Sequence, residues 1–407
     1  MNILLINHYA GSVNHGMEYR PYYFAKEWIK KGHNVTIVAS SFSHFMVKQP
    51  DIVKKISKEI IDNINYIWIK TPLYHGNGFK RFINILSFVF SLFRNSKYFS
   101  QKINPDIVIA SSTYPLDIFP ANRIAKISNA KLIYEVHDLW PLSLIELGGM
   151  SKYHPVIMLF QTAENFAYKN SNKVVSILPK TISHMQKHGM DINKFEYIPN
   201  GINLEEWSNN DKSSNSQIEK ITKLKRQNKF LIAYAGAHGV ANSLDSFVNA
   251  SVYIHDYPIH LLLIGKGPEK NRLSRIVENN KYDNIDFLDP VTKNDIPKIL
   301  TSMNVLFISL QNQSIFRFGI SPNKLLDYMM AGKPIIQAIN AGNDIVSEAG
   351  CGLTIEPENS KSIADAMIKL FQMTEKERHN LGNAGRSYVI KNHDYKVLAE
   401  KFLLVMK

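Results

Sequence analysis

Short apolar runs alternate with amphipathic stretches along most of the chain. Residues 3–7 (ILLIN) are the first run; after the loop His8–Met17 a helical pattern covers Glu18–Lys30, Gly32 breaks it, and Val35–Ala39 is the next run. Unbroken apolar runs of this length read as parallel strands buried on both faces. The alternation continues with strands at Tyr66–Ile69, Ile107–Ala110, Lys131–Val136, Lys173–Ile177 and Phe195–Ile198. Helical patterns separate them at Lys80–Lys102, Leu116–Ile127, Val156–Tyr168 and Lys180–Lys187. Past Asn200-Gly201 the chain turns polar, with SNNDKSSNSQ at the centre of a segment that reads as a linker over 206–229. A second alternation follows, with strands at Leu231–Ala235, His260–Ile264, Ile285–Leu288, Val305–Ile308 and Pro334–Gln337. Helical patterns at Leu244–Ile254, Glu269–Asn279, Asn294–Leu300, Lys361–Gln372, Glu375–Lys391 and Tyr395–Val405 complete it. The pattern predicts an α/β protein of two doubly wound parallel-sheet domains, 1–205 and 230–385. Ligand loops should lie at the strand C-termini, with a cleft between the domains. The closing helices, 386–407, are expected to pack back on the first domain.

A chain of 407 residues suits two such domains. The single cysteine, Cys351, excludes an internal disulfide and a cysteine-based zinc cluster. No run of apolar residues is long enough to cross a bilayer, and MNILLINHYAGS reads as a first strand and not a signal peptide. The formal charge of +13 asks for an anionic partner. Nucleic acid is not indicated, because no basic run with interleaved aromatics and no zinc-finger spacing occurs. An anionic membrane surface or an anionic lipid-linked substrate fits better, beside the plain reading of scattered solvated lysines. Residues 79–99 bear on this choice: Phe79, Phe82, Phe88, Phe90 and Phe93 crowd a segment flanked by Lys80, Arg81, Arg94 and Lys97. On a helical wheel only Asn84, Ser87, Ser91 and Arg94 form a polar stripe. Such a helix is either a core helix or an interfacial one.

The segment FRFGISPNKLLDYMMAGKP, 316–334, reads as a helix N-terminus suited to an anion. Ser321 is a good N-cap, Pro322 suits the first helical position, and Gly319 before them lets a ligand approach the backbone. Lys324, at the third helical position, adds a charge to the positive helix end. Asp327 shares its face and can accept hydrogen bonds from a ribose diol. One cation and one carboxylate so spaced suggest a nucleoside diphosphate; the plain alternative is a capped helix with a surface Lys–Asp pair.

Together these segments resemble the retaining glycosyltransferases of family 4, which have the GT-B fold of two facing Rossmann-like domains. The resemblance spans essentially the whole chain. It is carried by GISPNKLLDYMMAGKP, by HYAGSVNHGMEYRPYYFAKEW from His8, and by YEVHDLWP (134–141), IPNGIN (198–203), YAGAHG (234–239) and LLLIGKGPE (261–269). The opening and HDLWPLSLIELG are most similar to bacterial O-antigen and capsule enzymes, notably N-acetyl-L-fucosamine transferases. The resemblance implies a UDP-sugar donor, held by the second domain, and a lipid-linked saccharide acceptor on the first, at the cytoplasmic face of the cell membrane. It implies no cofactor. No Asp-x-Asp metal motif occurs, and no metal is expected.

Residue by residue, the resemblance makes His137 the active-site histidine that bonds the donor sugar, against the alternative of a structural histidine. Gly16 would approach the donor diphosphate, against the alternative of a plain turn. Gly236, His238 and Gly239 match the first loop of the second domain, Gly265 lies in the next glycine loop, and Val291 lies where backbone groups hold the base. Ser321, Asn323 and Lys324 form the helix start, and Asp327 is the ribose acid. Glu18, Arg20 and Trp140 are candidate acceptor contacts. Two departures stand out. The family's first acid, eight residues before the second, is here Gly319, so backbone N–H groups of Phe318, Gly319 and Ile320 would replace it. The Arg and Lys often found near 238 and 242 are His238 and Asn242, leaving Lys324 as the main full charge on the leaving group. The implied reaction retains the anomeric configuration by front-side attack, with His137 and Lys324 as catalytic residues. Alternatives are a UDP-sugar epimerase of the same architecture and an inert UDP-binding interaction subunit. A dehydrogenase is disfavoured, because the first strand leads into GSVNHGM and not a G-x-G-x-x-G turn.

Overall fold

A computed structural model describes every residue except 45, 53, 77 and 209–215. The chain divides into two compact units: Met1–Asn200 with Phe318–Ile320 and Tyr395–Lys407, and Gly201–Arg317 with Ser321–Asp394.

The first unit is built on an eight-stranded sheet. Its strands are β1 (Asn2–Ile6), β2 (Asn34–Ser40), β3 (Ile56–Ile61), β4 (Ile64–Ile69), β5 (Ile107–Ala110), β6 (Lys131–Val136), β7 (Lys173–Ser176) and β8 (Phe195–Tyr197). Their order is β3-β4-β2-β1-β5-β6-β7-β8. β1 is central and parallel to both neighbours, with Ile3 in register with Val35 and Ile107. Its residues and those of β5 are buried throughout but for Asn2, which is why they read as unbroken apolar runs.

The edge strand β3 was not anticipated. Ser57, Lys58 and Glu59 interrupt its apolar pattern because its outer side is solvated. It pairs antiparallel with β4 through Asp62-Asn63, both at positive φ (48° and 65°), as a tight two-residue hairpin turn requires. The single helix expected at Lys80–Lys102 is two, Phe79–Arg94 and Ser96–Ile103. At the break, the Asn95 amide bonds the Ser91 carbonyl and the Ser96 hydroxyl bonds those of Leu92 and Phe93. These side chains compete with the helical ladder.

The second unit has a six-stranded, all-parallel sheet of β9 (Phe230–Ala235), β10 (Ile259–Ile264), β11 (Ile285–Leu288), β12 (Val305–Ser309), β13 (Ile335–Ala338) and β14 (Gly352–Ile355). The order is β11-β10-β9-β12-β13-β14. β14, also unanticipated, pairs beside β13 where a Cβ on Gly352 would overlap the Ile335 carbonyl. The stretch read as a linker over 206–229 holds the end of one helix, Glu205–Ser208, and a second helix, Ser216–Arg226. Its residues 209–215 lie outside the described ones. Residues 201–205, read with the first domain, group with the second unit.

The final helices are shared out unevenly. Glu375–His393, started by a Thr374/Glu377 capping box, belongs to the second unit, whereas Tyr395–Met406 joins the first. There Phe402 packs edge-on against Phe24 and Trp28, and the Trp28 indole donates to the Ala399 carbonyl. Glu375–His393 lies close to the helix Asn323–Met330 because Gly382 and Gly385 carry no side chain. A Cβ on Gly382 would overlap the Gly332 carbonyl oxygen. Gly382→Ala should therefore cost about 1 to 3 kcal/mol in urea unfolding; an unchanged midpoint would show that the helix packing yields freely.

Candidate functional site

In the first unit, the chemistry gathers at the C-terminal ends of β1, β5 and β6. His137 follows β6 directly and is 7% exposed. Its Nε2 bonds Ser111 Oγ at 3.0 Å and lies 3.4 Å from Glu135, while Nδ1 lies 3.7 Å from the half-buried Glu18 carboxylate. Burial alone would depress this imidazole; the hydrogen bond and charge of Glu135, with the charge of Glu18, outweigh it and hold the pKa above its ordinary value. Glu135 is buried in β6 and paired with Arg20, whose Nε and Nη2 donate to one carboxylate oxygen at 3.0 and 2.8 Å. Burial works to raise the Glu135 carboxyl, yet Arg20 and His137 hold it well below the usual carboxylate range.

Arg20 was an acceptor candidate, but the structure buries it. Its remaining donors go to the carbonyls of Ile198 and Pro199 and to Asn200 Oδ1, and Phe24 stacks on the guanidinium. No face is left for an acceptor, so its part is to hold Glu135. Glu18 stays beside His137. Trp140 is half-buried, edge-on to Phe160. Gly16 adopts φ +96° and exchanges backbone hydrogen bonds with Ser12, so the loop needs a glycine there whatever it binds.

In the second unit the helix Asn323–Met330 starts one residue later than expected. Pro322 is its N-cap, with an extended ψ of 123° and no side-chain cap, so Ser321 is not the N-cap and Lys324 is the second helical residue. Tyr328 docks this helix on β9: its hydroxyl accepts from the Ala235 N–H at 2.7 Å and donates to the Ala235 carbonyl at 3.0 Å. Lys324 is thereby carried over the end of β9. Its ammonium donates to Tyr234 Oη at 2.6 Å and Asn242 Oδ1 at 2.9 Å and lies over the Tyr234 ring. Tyr234 and Asn242 both donate in turn to the Ala237 carbonyl. Burial pushes the Lys324 pKa down to about 8.

The glycines around it allow close approach. A Cβ on Gly236 would meet Lys324 Nζ at 3.1 Å, and one on Gly265 would overlap the Gly236 carbonyl. His238 is fully buried with neither ring nitrogen bonded to protein, and burial, then the charges of Lys270 and Lys324, lowers it to about 4. It is neutral at pH 7. Gly239 opens the short turn Val240–Asn242, and Val291 lies in the loop past β11.

Asp327, one turn on from Lys324, interacts with Lys293, Glu206 and Trp207. Burial raises its carboxyl to about 7, Lys293 works against this, Glu206 adds to it, and a hydrogen bond with Trp207 opposes it. Gly319, with φ +101°, occupies a backbone conformation that a glutamate would adopt only under strain. Phe318 and Ile320 beside it are buried, and the Phe318 carbonyl accepts from the Lys180 N–H at 3.0 Å. Asn323 is exposed at the helix start.

Among the described residues, Glu164, His184 and His188 bring donor atoms within 4.8 Å of one another. Glu164 is already engaged by His184, Tyr168 and Gln161.

Two family models match the chain. Glycosyltransferase Family 4 covers residues 15–206, and Glycosyl transferases group 1 covers residues 229–373. The chain is a family 4, group 1 glycosyltransferase. It is 21% identical over 395 residues to an Escherichia coli K12 protein described as a colanic acid biosynthesis glycosyl transferase, WcaI, with 93% of each chain covered. Among solved structures, sucrose-phosphate synthase from Thermosynechococcus elongatus superposes with a TM-score of 0.73 at 16% identity, over 99% of this chain and 97% of that one. Anabaena HepE, solved in complex with UDP, gives 0.71 at 14% identity, over 100% and 99%. These similarities establish the GT-B fold.

Within this glycosyltransferase, Glu135, Ser111, Tyr234, Tyr328 and Trp207 escaped the sequence reading. One signal was present: a carboxylate inside the apolar strand KLIYEV has to find a cation. Replacing Arg20 with Leu strands Glu135 and should cost about 3 to 5 kcal/mol in urea unfolding. Because the folded pKa of Glu135 is depressed, the pair's contribution is present above the ordinary glutamate value of 4.5 and is lost as the pH falls below it. An Arg20→Leu protein as stable as wild type at pH 7 would remove the pair from the account.

Proposed function

We propose that this glycosyltransferase moves an N-acetylated amino or deoxyamino hexose from a UDP-sugar to a lipid-linked saccharide, with retention at the anomeric carbon, in the synthesis of a bacterial surface polysaccharide. The observation that carries the donor half is Lys324, an ammonium held at a helix start by two neutral oxygens, Tyr234 Oη and Asn242 Oδ1. An ammonium so placed, with the first helical N–H groups beside it, suits a diphosphate. The choice of UDP is supported by the complex formed by HepE, and the polysaccharide role by the description of WcaI.

In this reading the departing UDP takes up negative charge as the glycosidic bond breaks, and Lys324 with the helix start stabilises it. The phosphate oxygen helps take the acceptor proton on the face it leaves, so no side-chain nucleophile is needed. Asp327 accepts from the ribose hydroxyls, and the Gly319 backbone stands where the family has its first acid. His137, held by Ser111 and Glu135, is assigned to the transferred sugar.

A thermal-shift panel of nucleotide sugars tests the donor class, since a ligand at 100 times its Kd stabilises by about 2.7 kcal/mol. A UDP-sugar should stand out; a shift by another nucleotide alone would redirect the assignment. Lys324→Met should lower the transfer rate about 100-fold or more, and activity within a few-fold of wild type would refute its role. Asp327→Asn should weaken UDP binding in calorimetry, and an unchanged Kd would remove the ribose contact. Conversion of a UDP-sugar without any acceptor would favour the epimerase instead.

A further inference from the structure

The helix Phe79–Arg94 buries one face and exposes the opposite one, where the Arg123 guanidinium lies over the Phe93 ring at 4.6 Å. Asn84, Ile85, Phe88 and Leu92 are buried, and the Asn84 amide, expected in the surface polar stripe, instead donates inward to Thr71 Oγ1 and the Pro72 carbonyl. Outward, Phe79, Ile83, Leu86, Phe90 and Phe93 are 74%, 41%, 38%, 66% and 41% exposed. At helical periodicity these five fall within about 80° of arc, diametrically opposite the buried set. Single exposed apolar residues are ordinary on a protein surface, but a continuous stripe of large ones marks a docking face.

Polar and basic groups edge this stripe on one side. Ser87, Ser91, Arg94 and Asn95 look across a groove of about 680 Å³ to Lys55 and Lys70, which come from the segment before β3 and the end of β4. Among the described residues, no carboxylate lines the groove. Lys80 is exposed along the same edge of the helix. Exposed aromatic rings beside a cationic groove match an anionic bilayer surface, where rings enter the acyl boundary and ammonium and guanidinium groups stay with the phosphates. A second copy of this chain fits less well, because self-association along the stripe would bring like-charged edges together.

We infer that the Phe79–Arg94 helix docks the protein on an anionic phospholipid surface, with a lipid phosphate seated between Lys55, Lys70 and Arg94. This goes beyond the donor assignment and does not rest on it. The lipid surface acts on the first unit only and requires no nucleotide.

The test is co-sedimentation of the full chain with vesicles of phosphatidylcholine alone or mixed with phosphatidylglycerol, with the thermal midpoint of every variant measured to confirm folding. Wild type should prefer the anionic vesicles and release in high salt. Phe79→Ser/Phe90→Ser should weaken binding to them at least about tenfold. Lys55→Gln/Lys70→Gln/Arg94→Gln should lose the anionic preference, about fivefold for each cation removed. Folded variants that bind anionic vesicles as well as wild type would overturn the inference. So would a wild-type dimer, unresponsive to vesicles, that Phe79→Ser/Phe90→Ser converts to monomer.

Discussion

The ammonium of Lys324 is held by a phenol and an amide and, among the described residues, by no carboxylate. Half-buried without a counter-ion, it loses hydration and gains no opposite charge, so burial alone sets its lowered pKa. Much of the second unit's local architecture serves to keep it there. Tyr328 pins the helix to Ala235 through both backbone groups of that residue. Gly236 and Gly265 let two loops close to backbone distance beneath it, and the Ala237 carbonyl gathers Tyr234 and Asn242 into one support. Asn242 is neutral and orients this cation without adding another.

The first unit solves the opposite problem. There the buried group is a carboxylate, and Arg20 supplies it with a matched cation and two hydrogen bonds that converge on one oxygen. The remaining guanidinium donors are absorbed by the Ile198 and Pro199 carbonyls and Asn200 Oδ1, so the pair is fully satisfied. Its outward consequence falls on His137, whose imidazole is held in place by Ser111 and made more basic by Glu135. His137 is thus positioned by charge pairing, and Lys324 by neutral oxygens.

The central parallel strands were legible because burial on both faces leaves an unbroken apolar run, as in residues 3–7 and 231–235. β3 was not, because its solvated side breaks that run with Ser57, Lys58 and Glu59; the Asp62-Asn63 turn was the signal to use instead. The helix Asn323–Met330 was legible from its spacing, but not its first residue, because Pro322 takes an extended conformation that only the fold reveals. Lys324 and Asp327 could be singled out from charge and spacing. Their partners could not, since Tyr234, Asn242 and Trp207 lie far off in sequence and meet them only once the sheet is assembled. Trp207 and Glu206 fell in a stretch whose polarity suggested a linker, and Arg20 looked available until the fold buried it.

The central claim is that Lys324 is the charge that meets the diphosphate, and proton linkage tests it most directly. With a pKa of about 8 in the free protein, the ammonium is roughly half deprotonated at pH 8, and an anion bound against it should draw the proton back. Calorimetry of UDP binding at pH 8, in buffers of different ionisation enthalpy, should report uptake of up to about half a proton per UDP. That uptake should vanish in Lys324→Met. No uptake by wild type, or the same uptake by the variant, would contradict the account.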